Sequence, residues 1–278
     1  MREYKNMRLF EKPEEVKKIL IDNNKIMELD IHPIVKELLL NADKNKLMQN
    51  VDLHMKKIAD HSFYVGEFCK QAGIPQRGEE HDLSKWSADE LFESIYFYEG
   101  TRSPIDKANE VIGWSPAFLH HTQCNDHQLE NSIYLNCGMI KPVEKTLDAA
   151  IEVVCDFCGA AKAYMGEKFT FQGELDWWHN RLKTLNEAGT IHPKMAEFIT
   201  IALEQCLGKD AMIGYKDFEN IWKEIHQEKE IVTEESFLEE VKINVADDVL
   251  NNDMCTTKPD TIVDNFFITE DEIGDECL

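Results

Sequence analysis

Leu53-His54-Met55-Lys56-Lys57-Ile58-Ala59-Asp60-His61-Ser62-Phe63-Tyr64-Val65-Gly66-Glu67-Phe68-Cys69-Lys70-Gln71-Ala72 carries its apolar side chains at helical spacing. His54, Ile58, His61, Val65, Phe68 and Ala72 are separated by 4, 3, 4, 3 and 4 residues, so one helix face holds all six. The face that should be buried therefore carries two imidazoles. One histidine alone in such a place would be an ordinary core residue. Its neighbours in the sequence change that reading.

Outward from this segment, the same periodicity recurs over residues 13–28, 32–48, 87–98, 105–121, 144–165, 174–187 and 193–207. Gly73-Ile74-Pro75 and Gly78 break the chain between helices. Ser87 with Glu90 three residues later reads as a capping box, and Ser115-Pro116 as a cap and first turn. Alternating strand patterns are unconvincing before the tail, where Lys242–Val245 is a short candidate. The pattern predicts an all-α helical bundle. Residues 1–50 read as an N-terminal helical extension, 51–227 as the body, and 228–278 as an acidic C-terminal segment.

The 278 residues are 43% hydrophobic and include 14 Phe, 7 Tyr and 5 Trp, enough to bury a core. The formal net charge is −23. Residues 228–278 carry sixteen acidic side chains against three lysines, so −13 of that charge lies in the last fifth of the chain. This balance excludes a protein that grips duplex nucleic acid through phosphate contacts, but not a local basic pocket for a small phosphorylated ligand. The tail reads as a solvated acidic appendage, or as a partner-binding or nucleic-acid-mimicking segment, and a homo-oligomer is compatible with the sequence. No apolar run is long enough to span a membrane. The charged start, MREYKNMRLFEKPEE, lacks the apolar stretch of a signal peptide. A cytoplasmic protein is expected, with its eight cysteines reduced. Cys155 and Cys158 form the sole CxxC, without the second pair that a zinc ribbon needs.

Three further clusters join His61. His81-Asp82-Leu83-Ser84-Lys85 sets an imidazole beside a carboxylate, a pairing able to point at one cation. His120-His121-Thr122-Gln123-Cys124-Asn125-Asp126-His127 packs three of the ten histidines into eight residues, a density that suits a metal or phosphate site. Asp156 lies among Ile151, Val154, Cys155 and Cys158, where a buried carboxylate needs a partner. Asp148, Glu152 and Asp156 also form a four-residue stripe that would serve as a solvated helix edge. His54 shares the His61 face and is a second-tier candidate. Trp114, Trp177 and Trp178 read as core or rim aromatics.

In that order, His61, His81-Asp82 and Asp156 resemble the HD-domain superfamily of metal-dependent phosphohydrolases. The likeness is closer to the uncharacterised DUF5662-type family of bacteria and phages. It is carried by His61-Ser62-Phe63-Tyr64-Val65, by Gly73-Ile74-Pro75, and by His81 through Leu91. It continues through Leu119-His120-His121 with Asn125 and His127, then Asp156, Gly166-Glu167, Trp177-Trp178 and Ile191-His192-Pro193. Gln128 stands where the family pattern has a second histidine. The resemblance implies an HD-like helical fold with His61, His81, Asp82 and Asp156 around one divalent ion. Asp82 would also orient or deprotonate water, and Lys85 would neutralise developing phosphate charge. His120, His121, Asn125 and His127 would serve a second ion or a phosphate. Mixed imidazole and carboxylate ligation leaves manganese, iron, cobalt, nickel, zinc and magnesium open. The expected activity is hydrolysis of a nucleotide or another small phosphorylated metabolite, in the cytoplasm of a bacterium or a phage-infected cell. The alternative is a non-catalytic protein that uses the same pocket to capture a nucleotide or engage a host partner.

Overall fold

The computed structural model describes residues 8–227, and among them the chain is helical apart from one small hairpin. In chain order these are α1 (Pro13–Leu20), α2 (Asn23–Glu28), α3 (Pro33–Asn41), α4 (Lys44–Gln71), α5 (Pro75–Glu80), α6 (Ala88–Phe97), α7 (Pro104–Ile112) and α8 (Pro116–Cys124). Then come β1 (Ile133–Asn136), β2 (Met139–Pro142), α9 (Leu147–Met165), α10 (Phe171–Glu187), α11 (Pro193–Cys206) and α12 (Tyr215–Gln227). The all-α expectation holds. The acidic segment 228–278, the candidate strand at 242–245 and the apolar pairs Ile262-Val263 and Phe266-Phe267 lie outside the described residues.

Helix breaks differ from the periodic pattern wherever a side chain caps a new start. Asp22 accepts from the Asn24 N–H and divides 13–28 into α1 and α2. Asp43 accepts from the Asn45 and Lys46 N–H groups and opens α4, which then runs unbroken past residue 50, where the sequence suggested a boundary. Gly113, in the left-handed region at φ 83°, ends α7. Ser115 then caps α8 by accepting from the Phe118 N–H. Ser87 precedes α6, but the expected box does not form: its hydroxyl makes no capping bond, and the Glu90 carboxylate faces His120 and His121 while the Ser87 N–H donates to the Ser84 carbonyl.

The hairpin corrects the expectation of no strand before the tail. Its two-residue turn places Cys137 and Gly138 at φ 47° and 82°, the backbone a tight hairpin requires. Nearly all of its side chains face outward, so no buried alternation marks it in the sequence.

α4 is the axis of the fold. Leu47, Val51, Met55 and Ile58 enter a core shared with α1, α2, α3 and α6, whereas Val65, Phe68 and Cys69 enter a second core shared with α9, α10, α11 and α12. His61 falls at the changeover. The first core makes the N-terminal helices part of the body's packing rather than an appendage to it. α4 packs most extensively on α9, and Gly159 allows the approach. A Cβ there would collide with Val65 Cγ2 and stand 2.9 Å from the Val65 backbone nitrogen. Gly159→Ala would therefore cost about 1–3 kcal/mol or more through overpacking. Among the described residues no helix is long and apolar enough to cross a membrane, and no disulfide forms; Cys155 and Cys158 are buried thiols.

Candidate metal centre

Four elements deliver the chemistry. His61 comes from the middle of α4, and Asp156 from the facing turn of α9. His81 ends α5, and Asp82 follows in the left-handed region at φ 53°. That conformation is uncommon for a residue with a Cβ but accessible to aspartate. It lets the adjacent side chains of His81 and Asp82 reach the same point.

His61, His81, Asp82 and Asp156 converge with one ligand atom each. His61 Nε2 stands 3.1 Å from His81 Nε2, 3.1 Å from Asp82 Oδ2 and 3.3 Å from Asp156 Oδ1. His81 Nε2 lies 3.1 Å from Asp82 Oδ2 and 3.4 Å from Asp156 Oδ1. With metal–ligand bonds of about 2.1 Å, neighbouring donors stand about 3.0 Å apart at a right angle and about 3.4 Å apart in a tetrahedron. The observed edges are compatible with an ion of that bond length.

The other faces of the same carboxylates meet the third histidine cluster. Asp82 Oδ1 is 3.4 Å from His121 Nε2 and 3.3 Å from His127 Nε2, and Asp156 Oδ2 is 3.6 Å from His127 Nε2. Asp82, with Asp156 more distantly, thus offers oxygens to two adjacent donor groups. His120 and Asn125 stand apart from them. His120 Nδ1 donates to Glu90 at 2.8 Å. Asn125 caps the end of α8, where its amide donates to Ser84 Oγ and to the His121 carbonyl. Asn125 braces the site rather than presenting a ligand.

Two residues outside the expected set orient the imidazoles. Glu152 Oε1 accepts from His81 Nδ1 at 2.8 Å and from His127 Nδ1 at 3.0 Å. Glu90 accepts from Nδ1 of both His120 and His121 at 2.8 Å. With Nδ1–H committed, the Nε2 of a neutral ring is a lone pair aimed at the centre. Glu152 is itself held by Arg77, which also pairs with Asp126. Lys145 completes the frame by donating to the Asp126 and Gln128 carbonyls and to Ser132 Oγ, at 2.6–2.7 Å, on both sides of His127. Glu152 is visible in the sequence only as the middle of an acidic stripe. In the fold its outer member, Asp148, is exposed and accepts from the Tyr215 hydroxyl.

Asp82, Asp156, Glu152 and Glu90 are all buried, as are the five histidines apart from His120, which is half-buried. Lys85, 2.6 Å from Asp82 Oδ2, and Arg77 are the cations set directly against these carboxylates. Burial followed by the charge of Lys85 lowers His61 to about 4. Burial and the His81 charge oppose ionisation of His127, yet contacts with Asp82 and Glu152 push it up to about 9. Burial would raise Asp156, but His81 holds it below the ordinary carboxylate range. Asp82 Oδ1 and His127 Nε2 are buried without a hydrogen-bond partner. Four buried carboxylates face two lysine or arginine cations, so without an ion the His81 and His127 rings hold protons that balance them; a divalent cation would take the place of those protons and leave the Nε2 lone pairs facing inward.

A cavity of about 350 Å³ adjoins the centre, bounded at one end by His61, His121, Asp156 and Lys85. The profile of a family of unknown function (DUF5662) matches residues 49–205, more than half of the chain and all of the donors above. No curated protein and no solved structure matches.

Proposed function

The chain belongs to the DUF5662 family of unknown function, and on that premise we propose a metal-dependent phosphohydrolase of the HD-domain kind, acting in the cytoplasm on a nucleotide or another small phosphorylated metabolite. The observation that carries this reading is the set of four donor atoms from α4, the α5 terminus and α9, spaced for one ion and open to a cavity. A site built only for structure would be closed by its own ligands.

His61, His81, Asp82 and Asp156 would hold the first ion, and His121 and His127 would hold a second beside Asp82. A divalent ion there lowers the pKa of water and polarises a phosphoryl group. The chain's own residues do the rest. Asp82 and Asp156 stay ionised and keep their oxygens available. Glu152 and Glu90 keep the imidazoles in the tautomer that presents Nε2 inward. Lys85 lines the cavity with its ammonium beside Asp82, where it can oppose charge that develops on a phosphate. Metal analysis of the purified protein, then phosphate release from a panel of nucleotides and sugar phosphates with each candidate metal, tests the reading. Bound metal with no release across the panel would turn it into ligand capture without catalysis.

A further inference from the structure

The cavity has an end that the metal centre does not use. His54 lies seven residues before His61 on the same face of α4, about 10 Å along the helix. It lines the cavity and is buried, with its ring 5.0 Å from that of Tyr98 between centroids; its Nδ1 is enclosed by protein and makes no hydrogen bond among the described residues. Burial first, then the charge of Lys85, pulls its pKa down to about 3. The imidazole is therefore neutral, with one donor and one acceptor nitrogen.

The lining is mostly apolar, with Ile58, Ile105, Phe118, Tyr164 and Trp177, and Ser94 and Ser103 add small hydroxyls. Among the described lining residues the lysine cations are Lys57 and Lys85. Lys57 already donates to the Ala163 carbonyl at 2.7 Å and lies 4.6 Å over the Tyr164 ring. The cavity thus offers one strongly charged end and no second phosphate site.

Building on the phosphohydrolase reading, we infer that the cavity takes a phosphomonoester with a single phosphate and a flat, largely apolar body, as in a nucleoside monophosphate, and that His54 is the specificity-determining residue that hydrogen-bonds the far edge of that body. A chain of phosphates would have to run along a mostly apolar lining whose one further lysine, Lys57, is already engaged with the Ala163 carbonyl and the Tyr164 ring, so di- and triphosphates are disfavoured. Neutral heteroaromatic edges fit because each offers a donor or acceptor to a neutral imidazole.

The test uses the full-length protein loaded with manganese, with phenyl phosphate, AMP and ATP as probes. AMP should be cleaved with at least tenfold higher kcat/KM than ATP. In His54→Phe the preference for AMP over phenyl phosphate should fall at least tenfold, mainly through KM, and the calorimetric Kd for AMP should weaken in parallel. His54→Asn, which restores a hydrogen-bonding group, should recover part of the loss and serves if the phenylalanine variant fails to fold. ATP cleaved as well as AMP, or a preference and Kd unchanged by both variants, would overturn the inference. Failure of every metal to support phenyl phosphate cleavage would sink the phosphohydrolase reading instead. The calorimetric comparison would then still decide the role of His54.

Discussion

Glu152 Oε1 accepts the Nδ1 proton of His81 at 2.8 Å, and that contact decides which nitrogen of His81 faces the centre. The same oxygen accepts from His127 at 3.0 Å, so one carboxylate aligns an imidazole for each donor group. Glu152→Gln should leave the helices in place but weaken metal binding about 10- to 100-fold, the usual loss when such a partner is removed. Metal titration monitored by calorimetry reads it directly. An unchanged affinity would show that packing alone orients His81.

Asp82 supplies oxygens to both donor groups, so Asp82→Ala should remove the metal and reduce turnover about 1000-fold or more. The fold should survive, because carboxylates crowded without their ion repel one another. Lys85→Ala should retain the metal and slow turnover about 10- to 100-fold, since it would act on substrate charge. Metal content measured alongside phosphate release separates the two. Loss of metal from Lys85→Ala would make the lysine a prop for Asp82.

Lys145→Met tests the frame around His127. Three acceptors lose their donor, which should cost about 2–4 kcal/mol of stability and loosen the backbone on either side of His127. Bound metal should fall from two ions to one, with the His61 group still filled. A stoichiometry of two in the variant would refute the positioning role.

Burial, then the charge of Asp156, raises Glu174 to about 8. The folded protein keeps that proton up to about pH 8, whereas the unfolded chain releases it near the ordinary glutamate value. The stability this contributes is complete below about pH 4.5 and is lost as pH rises through 8. Metal-free protein should therefore melt earlier at pH 8.5 than at pH 6. In Glu174→Gln the part of that loss due to Glu174, about 1–3 kcal/mol, should vanish. Identical pH profiles for the two proteins would show that Glu174 ionises normally.

The helical class, the His61 face and the three clusters that meet it are all legible in the sequence, because periodicity and residue type report them locally. The roles of Glu90 and Glu152 are not. Glu90 satisfies the spacing of a capping box, and Glu152 fits an acidic stripe; only the packing of α6 on α8, and of α9 on α4, turns both toward imidazoles. Local spacing could not separate His121 from His120 either. Both rings bond Glu90 through Nδ1, but the rotation from one residue of α8 to the next turns His121 Nε2 toward Asp82 and His120 Nε2 toward Asp89. The helix breaks at Asp22 and Asp43 escaped a periodicity reading because apolar spacing continues across them.

The pairing of α4 with α9 has a consequence for the order in which the molecule forms. His61 and Asp156 are 95 positions apart in the chain, and they meet only after that long-range pairing has closed. Local helices form in about a microsecond, whereas contacts of such separation come late. The donors therefore assemble together with the second core, whose α4 and α9 side chains meet in the same pairing, and a cation reaches a cradle built by packing instead of nucleating one. Metal should accordingly slow unfolding far more than it speeds refolding, and a chelator should leave a protein that still folds by itself.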